Sequence, residues 1–265
     1  MLKKMIKLSS IVFFSASIAT AVASDRTCSD IGLEQAYRPI EIQGLTACFV
    51  YTKTSLDHEE KTSSDPDGVA LYSVSKAEEP RLVYEFPYAW TKGKINDAFL
   101  LSEEGGHDKM LFVIHSIWTP RSWDPVSDVY DVSVIRLQDG ALIRDQKLSR
   151  FFGMGGDLVD PQGRFRYIYP YKDKEVVEET VRSPLFRIAH FSASVDGVIQ
   201  EKSFLYDDYG GSEPSLNNSK KMYLIKGDRV TVEEARAGWC RVLYAGKGKP
   251  ITRWVQCKTI NFPKG

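Results

Sequence analysis

The sequence predicts an all-β protein built as an N-terminal β-sandwich or propeller-like sheet domain and a small C-terminal barrel. Three observations carry this. Short runs of alternating apolar and polar residues recur along the chain, separated by turn residues such as Gln138-Asp139-Gly140 and Pro161-Gln162-Gly163. Helical periodicity is nearly absent. The last quarter, from Lys202 to Asn261, compresses the same grammar into KKMYLIKGDRVTV, GWCRVLYAGKGKP and ITRWVQCKTIN, the spacing of a closed roll of short strands.

The chain begins MLKKMIKLSSIVFFSASIATAVAS, with Lys3, Lys4 and Lys7 before an apolar stretch and with Ala21 and Ala23 at its end. This is the pattern of a secretory signal peptide, residues 1–23. No second long apolar run follows, so no membrane span is expected in the mature chain. Cys28 does not directly follow a small-residue motif, which excludes a lipoprotein anchor.

The all-β domain is expected over residues 24–198. Asp30 to Ala36 suggests a short helical turn. LTACFVYTKT, VALYSVSK, RLVYEFPYAW, KINDAFLLSE, KMLFVIHSIW, DVYDVSVIRL, ALIRDQKLS, GRFRYIYPY and RIAHFSASV are the candidate strands. Only KEVVEETVRS, with Val176, Val177 and Val181 at helical offsets, suggests a helix. The C-terminal module is expected over residues 199–265, with GGSEPSLNNSKK as its long first loop. Val230 and Val232, then Cys240, Val242 and Tyr244, then Val255 and Cys257 each fall on one face and are the interior candidates. The opposite faces carry Trp239, Leu243 and Trp254 among charged residues, an aromatic surface expected near solvent.

The order YLIKGDRVTV, GWCRVLY, a basic turn, then RWVQC resembles the bacterial SH3-like domains found at the ends of exported proteins, over about a quarter of the chain. Arg253 stands where that family usually has Gly before the Trp. FLYDDY is also similar to the ALYDY segment of signalling SH3 domains. The resemblance implies recognition of cell-wall material or of a protein partner, without catalysis by the module, and makes Tyr206, Tyr209, Trp239 and Trp254 candidate ligand-binding residues.

Four cysteines in an exported chain suggest two disulfides. Cys28 with Cys48 and Cys240 with Cys257 are the pairs expected, because each lies within one module and closes a short loop. Two buried thiols at Cys240 and Cys257 would also fit their inward positions. Whole-chain charge is zero, but it is unevenly spread. Residues 201–265 hold 12 Lys/Arg against 7 Asp/Glu, and residues 24–200 hold 20 against 28. A basic end joined to an acidic front favours an anionic partner or contact between the halves. No basic run is dense enough to argue for nucleic acid.

Chemistry finds little purchase. No G-x-S-x-G occurs. His58-Glu59-Glu60 lacks a second His four residues on, and His107, Asp108 and His115 lack a third ligand, so neither metal nor cofactor is expected. No histidine lies in the C-terminal module, which argues against a catalytic thiol there. FFGMGGDLVDPQG offers Asp157 and Asp160 as paired acids, although Gly and Asp between strands are ordinary turn residues. IWTPRSWDP is the stronger surface candidate: Trp118 and Trp123 flank Arg121, two flat plates around a guanidinium. Tyr169, Tyr171 and Lys172 of YPYKDK are further surface candidates.

The expected function is that of a non-enzymatic periplasmic protein that binds a cell-envelope component, peptidoglycan or protein. A periplasmic immunity protein that inhibits a delivered toxin, and a cell-wall hydrolase with an SH3-like targeting module, are the alternatives.

Overall fold

The computed structural model describes residues 26–52, 68–88, 91–102, 109–120, 125–207, 209–210, 213–214, 222–246 and 248–263. After a 3-10 turn at Cys28–Ile31, the strands are β1 (Gln35–Ile42), β2 (Leu45–Thr52), β3 (Gly68–Val74), β4 (Arg81–Glu85), β5 (Gly93–Ser102), β6 (Lys109–Ile117), β7 (Val129–Gln138) and β8 (Ala141–Arg144). Helix α1 (Gln146–Phe152) precedes β9 (Met154–Gly155), β10 (Leu158–Val159) and β11 (Phe165–Tyr167), and α2 (Lys174–Val181) and α3 (Phe186–Phe191) follow. The chain closes with β12 (Val195–Ile199), β13 (Ser203–Phe204), β14 (Tyr209–Gly210), β15 (Glu213–Pro214), β16 (Tyr223–Leu224), β17 (Arg229–Arg236), β18 (Trp239–Tyr244), β19 (Ile251–Gln256), a 3-10 turn at Cys257–Thr259 and β20 (Ile260–Asn261).

The fold is all-β in character, and every strand pairing is antiparallel. β1 to β4 form one meander and β5 to β8 a second, with β9 added beside β7. These two sheets pack as a sandwich: Phe49, Val69 and Leu71 of the first meet Leu111, Val113 and Ile135 of the second in one buried cluster. The sandwich is thus the form taken, of the two expected. Tight turns set the registers, with positive φ at Gln43 and Gly44, at Asp139 and Gly140, and at Ala237 and Gly238, as two-residue hairpins require.

β6 explains the architecture beyond the sandwich. Its sequence KMLFVIHSI is buried from Met110 to Ile117, so both faces of the second sheet are covered. Leu111 and Val113 face the first sheet, whereas Met110, Phe112 and Ile114 face a larger core that includes Phe151 and Phe152 of α1, Phe186 of α3, and Val230, Trp239 and Val255 of the C-terminal strands. Period-2 alternation therefore sends one strand's residues into two different cores.

Two expected strands are corrected. RDQKLSRFF continues as α1 after β8, because Asp145 accepts a hydrogen bond from Leu148 N at 2.9 Å and nucleates the turn, and Gly153 stops it with positive φ. RIAHF is α3, and its Phe186, Ile188 and Ala189 are buried.

The C-terminal strands form one sheet in the order β19-β18-β17-β12-β20. It is not a closed barrel. β20 is only two residues long and pairs with β12, while β19 pairs with β18 on one edge and, among the described residues, carries on the other only one isolated bridge, Tyr206 to Trp254. The sheet begins at Val195, ahead of the expected boundary. Val230, Val232, Cys240, Val242, Val255 and Cys257 are buried, as their alternation suggested, and Tyr244 is partly so.

The other face is covered where the tryptophans lie, which overturns the expectation that they face solvent. Trp239 is 0 % and Trp254 7 % exposed. The front of the chain supplies the cover. The Trp239 ring stacks on Tyr167 at 5.5 Å and meets Tyr206 edge-on at 5.0 Å. The β17–β18 turn is fastened to α1 and β11: Ala237 N donates to Phe151 O at 2.9 Å, Tyr167 Oη donates to Ala237 O, and Gln256 Nε2 donates to Arg166 O at 2.8 Å. Replacing Trp239 by Ala is expected to cost about 3–5 kcal/mol, read as a lower midpoint in denaturant unfolding, with front and C-terminal probes unfolding together.

Candidate functional site

The expected aromatic binding surface is described only in part. Tyr206, Trp239 and Trp254 are packing residues. Tyr209 lies on the β14–β15 ribbon, with its side chain outside the described residues. Trp118 is 57 % exposed just after β6, and its carbonyl accepts from Thr91 Oγ1 at 2.7 Å. Arg121 and Trp123 lie outside the described residues, as do residues 1–25, His58 and His107. The two disulfides are Cys28–Cys48 and Cys240–Cys257, with Cα separations of 5.5 and 5.0 Å, and they fit an oxidising, exported environment.

The acid candidates serve the fold. Asp157 accepts from Tyr169 N at 3.0 Å and from the Lys172 ammonium. Asp160 accepts from the amides of Gln162 and Arg164 and from Arg164 Nε, and the Arg164 guanidinium holds its carboxyl below the usual range. Each therefore has its own local partners. Among the described residues, no three His, Cys, Asp or Glu side chains converge as a metal site would need. No described helix is long and apolar enough to cross a membrane.

What the fold does build is a cleft of about 360 Å³ between the two halves, within the size range of small-ligand sites. One wall comes from Ile168, Tyr171 and α2, which contributes Val176 and Thr180; the other comes from Lys258 and Phe262 beyond β19. The amphipathic spacing of α2 makes this wall. Val177 enters the core completely, whereas Val176 is partly covered and turns to the cleft. Hydrogen bonds fasten the opposite wall, with Cys257 N donating to Gly238 O at 2.8 Å, and the Cys240–Cys257 bridge ties it to β18. Glu179 and Lys258 line the mouth. The arrangement suits an apolar group held by shape, with charge available at the rim, and contains no activated nucleophile.

Tyr171, expected at the surface, is buried and lines the cleft, which sequence reasoning did not reach. Tyr169 is buried, with its hydroxyl donating to Gly153 O at 2.9 Å. The missed residues Val176, Thr180, Lys258 and Phe262 lie in two segments far apart in sequence. The helical offsets of KEVVEETVRS were the available signal, since an amphipathic helix must face something.

A second polar group lies between the sandwich sheets. His115 is 0 % exposed, stacks on Phe86 at 5.1 Å, and finds no hydrogen-bond partner for either ring nitrogen among the described residues. Beside it Asp131, its cross-strand partner, accepts from Ser133 Oγ at 3.0 Å, and Arg144 Nε donates to the same hydroxyl at 3.2 Å while its guanidinium sits over the Tyr84 ring. With the imidazole bonded to neither Asp131 nor Ser133, the trio is not a proton relay. Burial pushes His115 down to about 4 and raises the Asp131 carboxyl.

Comparison with protein-family models, curated protein sequences and solved structures finds no match. The chain's own residues therefore carry the functional argument.

The His115 environment sets an acid limit. The unfolded histidine takes up a proton near its ordinary value of 6.5 and the folded one only near 4. Its contribution to stability is thus complete above pH 6.5 and declines by about 3 kcal/mol as the pH falls to 4. Asp131 acts with the opposite sign, holding its proton longer when folded. The difference between wild type and His115→Leu in urea midpoints across this window isolates the histidine, and the variant is expected to show the shallower acid loss.

Proposed function

We propose that this chain is a non-enzymatic, periplasmic binding protein that recognises a cell-envelope component, peptidoglycan or protein. The cleft is the observation that carries this reading. It is open and apolar, and both its walls are fastened, so a ligand meets a preformed site with little ordering to complete. The two disulfides support an exported setting. The SH3-like reading of the C-terminal module draws support from the 3-10 turn at Cys257–Thr259 that closes β19 and from the long connection between β13 and β16. On this reading the ligand-contacting residues move from the buried tryptophans to Ile168, Tyr171, Val176, Thr180, Lys258 and Phe262.

The test is binding of the mature protein to purified peptidoglycan sacculi by co-sedimentation and, separately, to a soluble envelope extract by affinity capture. Thr180→Trp, which fills the cleft from α2, is expected to weaken whichever interaction is found by about tenfold or more with little change in melting temperature. Retention of full binding by a folded Thr180→Trp protein would remove the cleft from the proposal.

A further inference from the structure

Four of the exposed large apolar side chains among the described residues sit together on one small element away from the cleft lining. In the β13–β16 ribbon, Ser203 and Leu224, with neighbouring Leu205, turn to the interior, while Phe204 is 46 %, Met222 43 %, Tyr223 51 % and Ile225 55 % exposed. Phe204 and Tyr223 are cross-strand partners with ring centroids 6.5 Å apart. The Lys202 ammonium lies 5.3 Å from the Phe204 centroid and 4.2 Å from that of Tyr223, held at ring level. Lys226 is exposed at the end of the same apolar run. Three acids accompany these lysines. Asp228 accepts from Ile225 N and Tyr244 Oη, Asp207 is bridged to Arg253, and Glu201 remains exposed.

We infer that this ribbon is a membrane-contacting wedge, which seats Phe204, Tyr223 and Ile225 at headgroup depth in an anionic phospholipid surface with Lys202 and Lys226 against the phosphates. Exposed aromatic and aliphatic side chains with lysines at their own level match the layering of a bilayer interface, where rings enter the boundary and ammonium groups stay with the headgroups. The ribbon offers four large exposed apolar side chains. A handful of side chains plus charge suffices for a reversible membrane contact. The excess of Lys/Arg over Asp/Glu in residues 201–265, 12 against 7, gives the sign of the attraction.

The inference is tested by sedimenting the mature protein with vesicles of phosphatidylglycerol and phosphatidylcholine, and with phosphatidylcholine alone. Binding is expected to the anionic vesicles and to weaken as salt is raised. Joint replacement Phe204→Ser, Tyr223→Ser and Ile225→Ser is expected to reduce it by about tenfold or more. Lys202→Glu with Lys226→Glu, which spares the apolar residues, is expected to reduce it as well. Thr180→Trp should leave it unchanged, which separates this surface from the cleft. Near-UV circular dichroism checks that each variant is folded. Vesicles left unbound, equal binding to neutral vesicles, full binding by the folded ribbon variants, or ribbon-dependent capture of a protein without vesicle binding would each overturn the inference.

Discussion

The seat of Trp239 is the constraint on which the rest of the molecule depends. Its ring lies between Tyr167 of the front half and Tyr206 of the C-terminal half, and the turn before it is fastened to α1 through Ala237. Ala237 adopts positive φ, as the two-residue β17–β18 turn requires. Here its amide is taken by Phe151 and its carbonyl by Tyr167. The turn and the seam are thus one feature, and Gly238 of the same turn lines the cleft.

The second sheet is the layer that makes such a seam possible. A sandwich of two meanders would normally leave its outer faces wet, but β6 and β7 carry apolar residues on both sides. The outer face of this sheet receives α1, which packs on α3, and both helices meet β17. Polar residues remain on the inner side, where His115, Asp131 and Ser133 lie among apolar neighbours. The apolar side therefore supplies the larger core, and the mixed side makes the sandwich sensitive to acid.

Strand periodicity conveyed much of this and stopped at a definable point. The alternation of Val230, Val232, Cys240, Val242 and Val255 identified one buried face because those residues are apolar at period 2. The cysteine spacing led to the two bridges, and the offsets of Val176, Val177 and Val181 to α2. Alternation is silent about what covers the second face. Trp239 and Trp254 were therefore assigned to solvent, since charged neighbours such as Arg241 and Arg253 are equally compatible with a strand whose outer face is buried at one end only. Helices α1 and α3 are too short to show a full helical stripe, and the Asp145 cap was the sole local sign of the first. The cleft was beyond reach for a different reason: its walls are assembled by long-range contact.

The shared core also bears on when the molecule can finish folding. Phe112 and Phe152 belong to the same buried cluster as Val232, Trp239 and Ile260, so the hydrophobic side of the central sheet stays unsealed until the final strands arrive. Contacts of such wide sequence separation form late and slowly, and until they form the waiting surface invites association with other chains. A stop shortly before Ile260 would therefore leave more than a missing strand: the front half would remain an unlidded, adhesive intermediate.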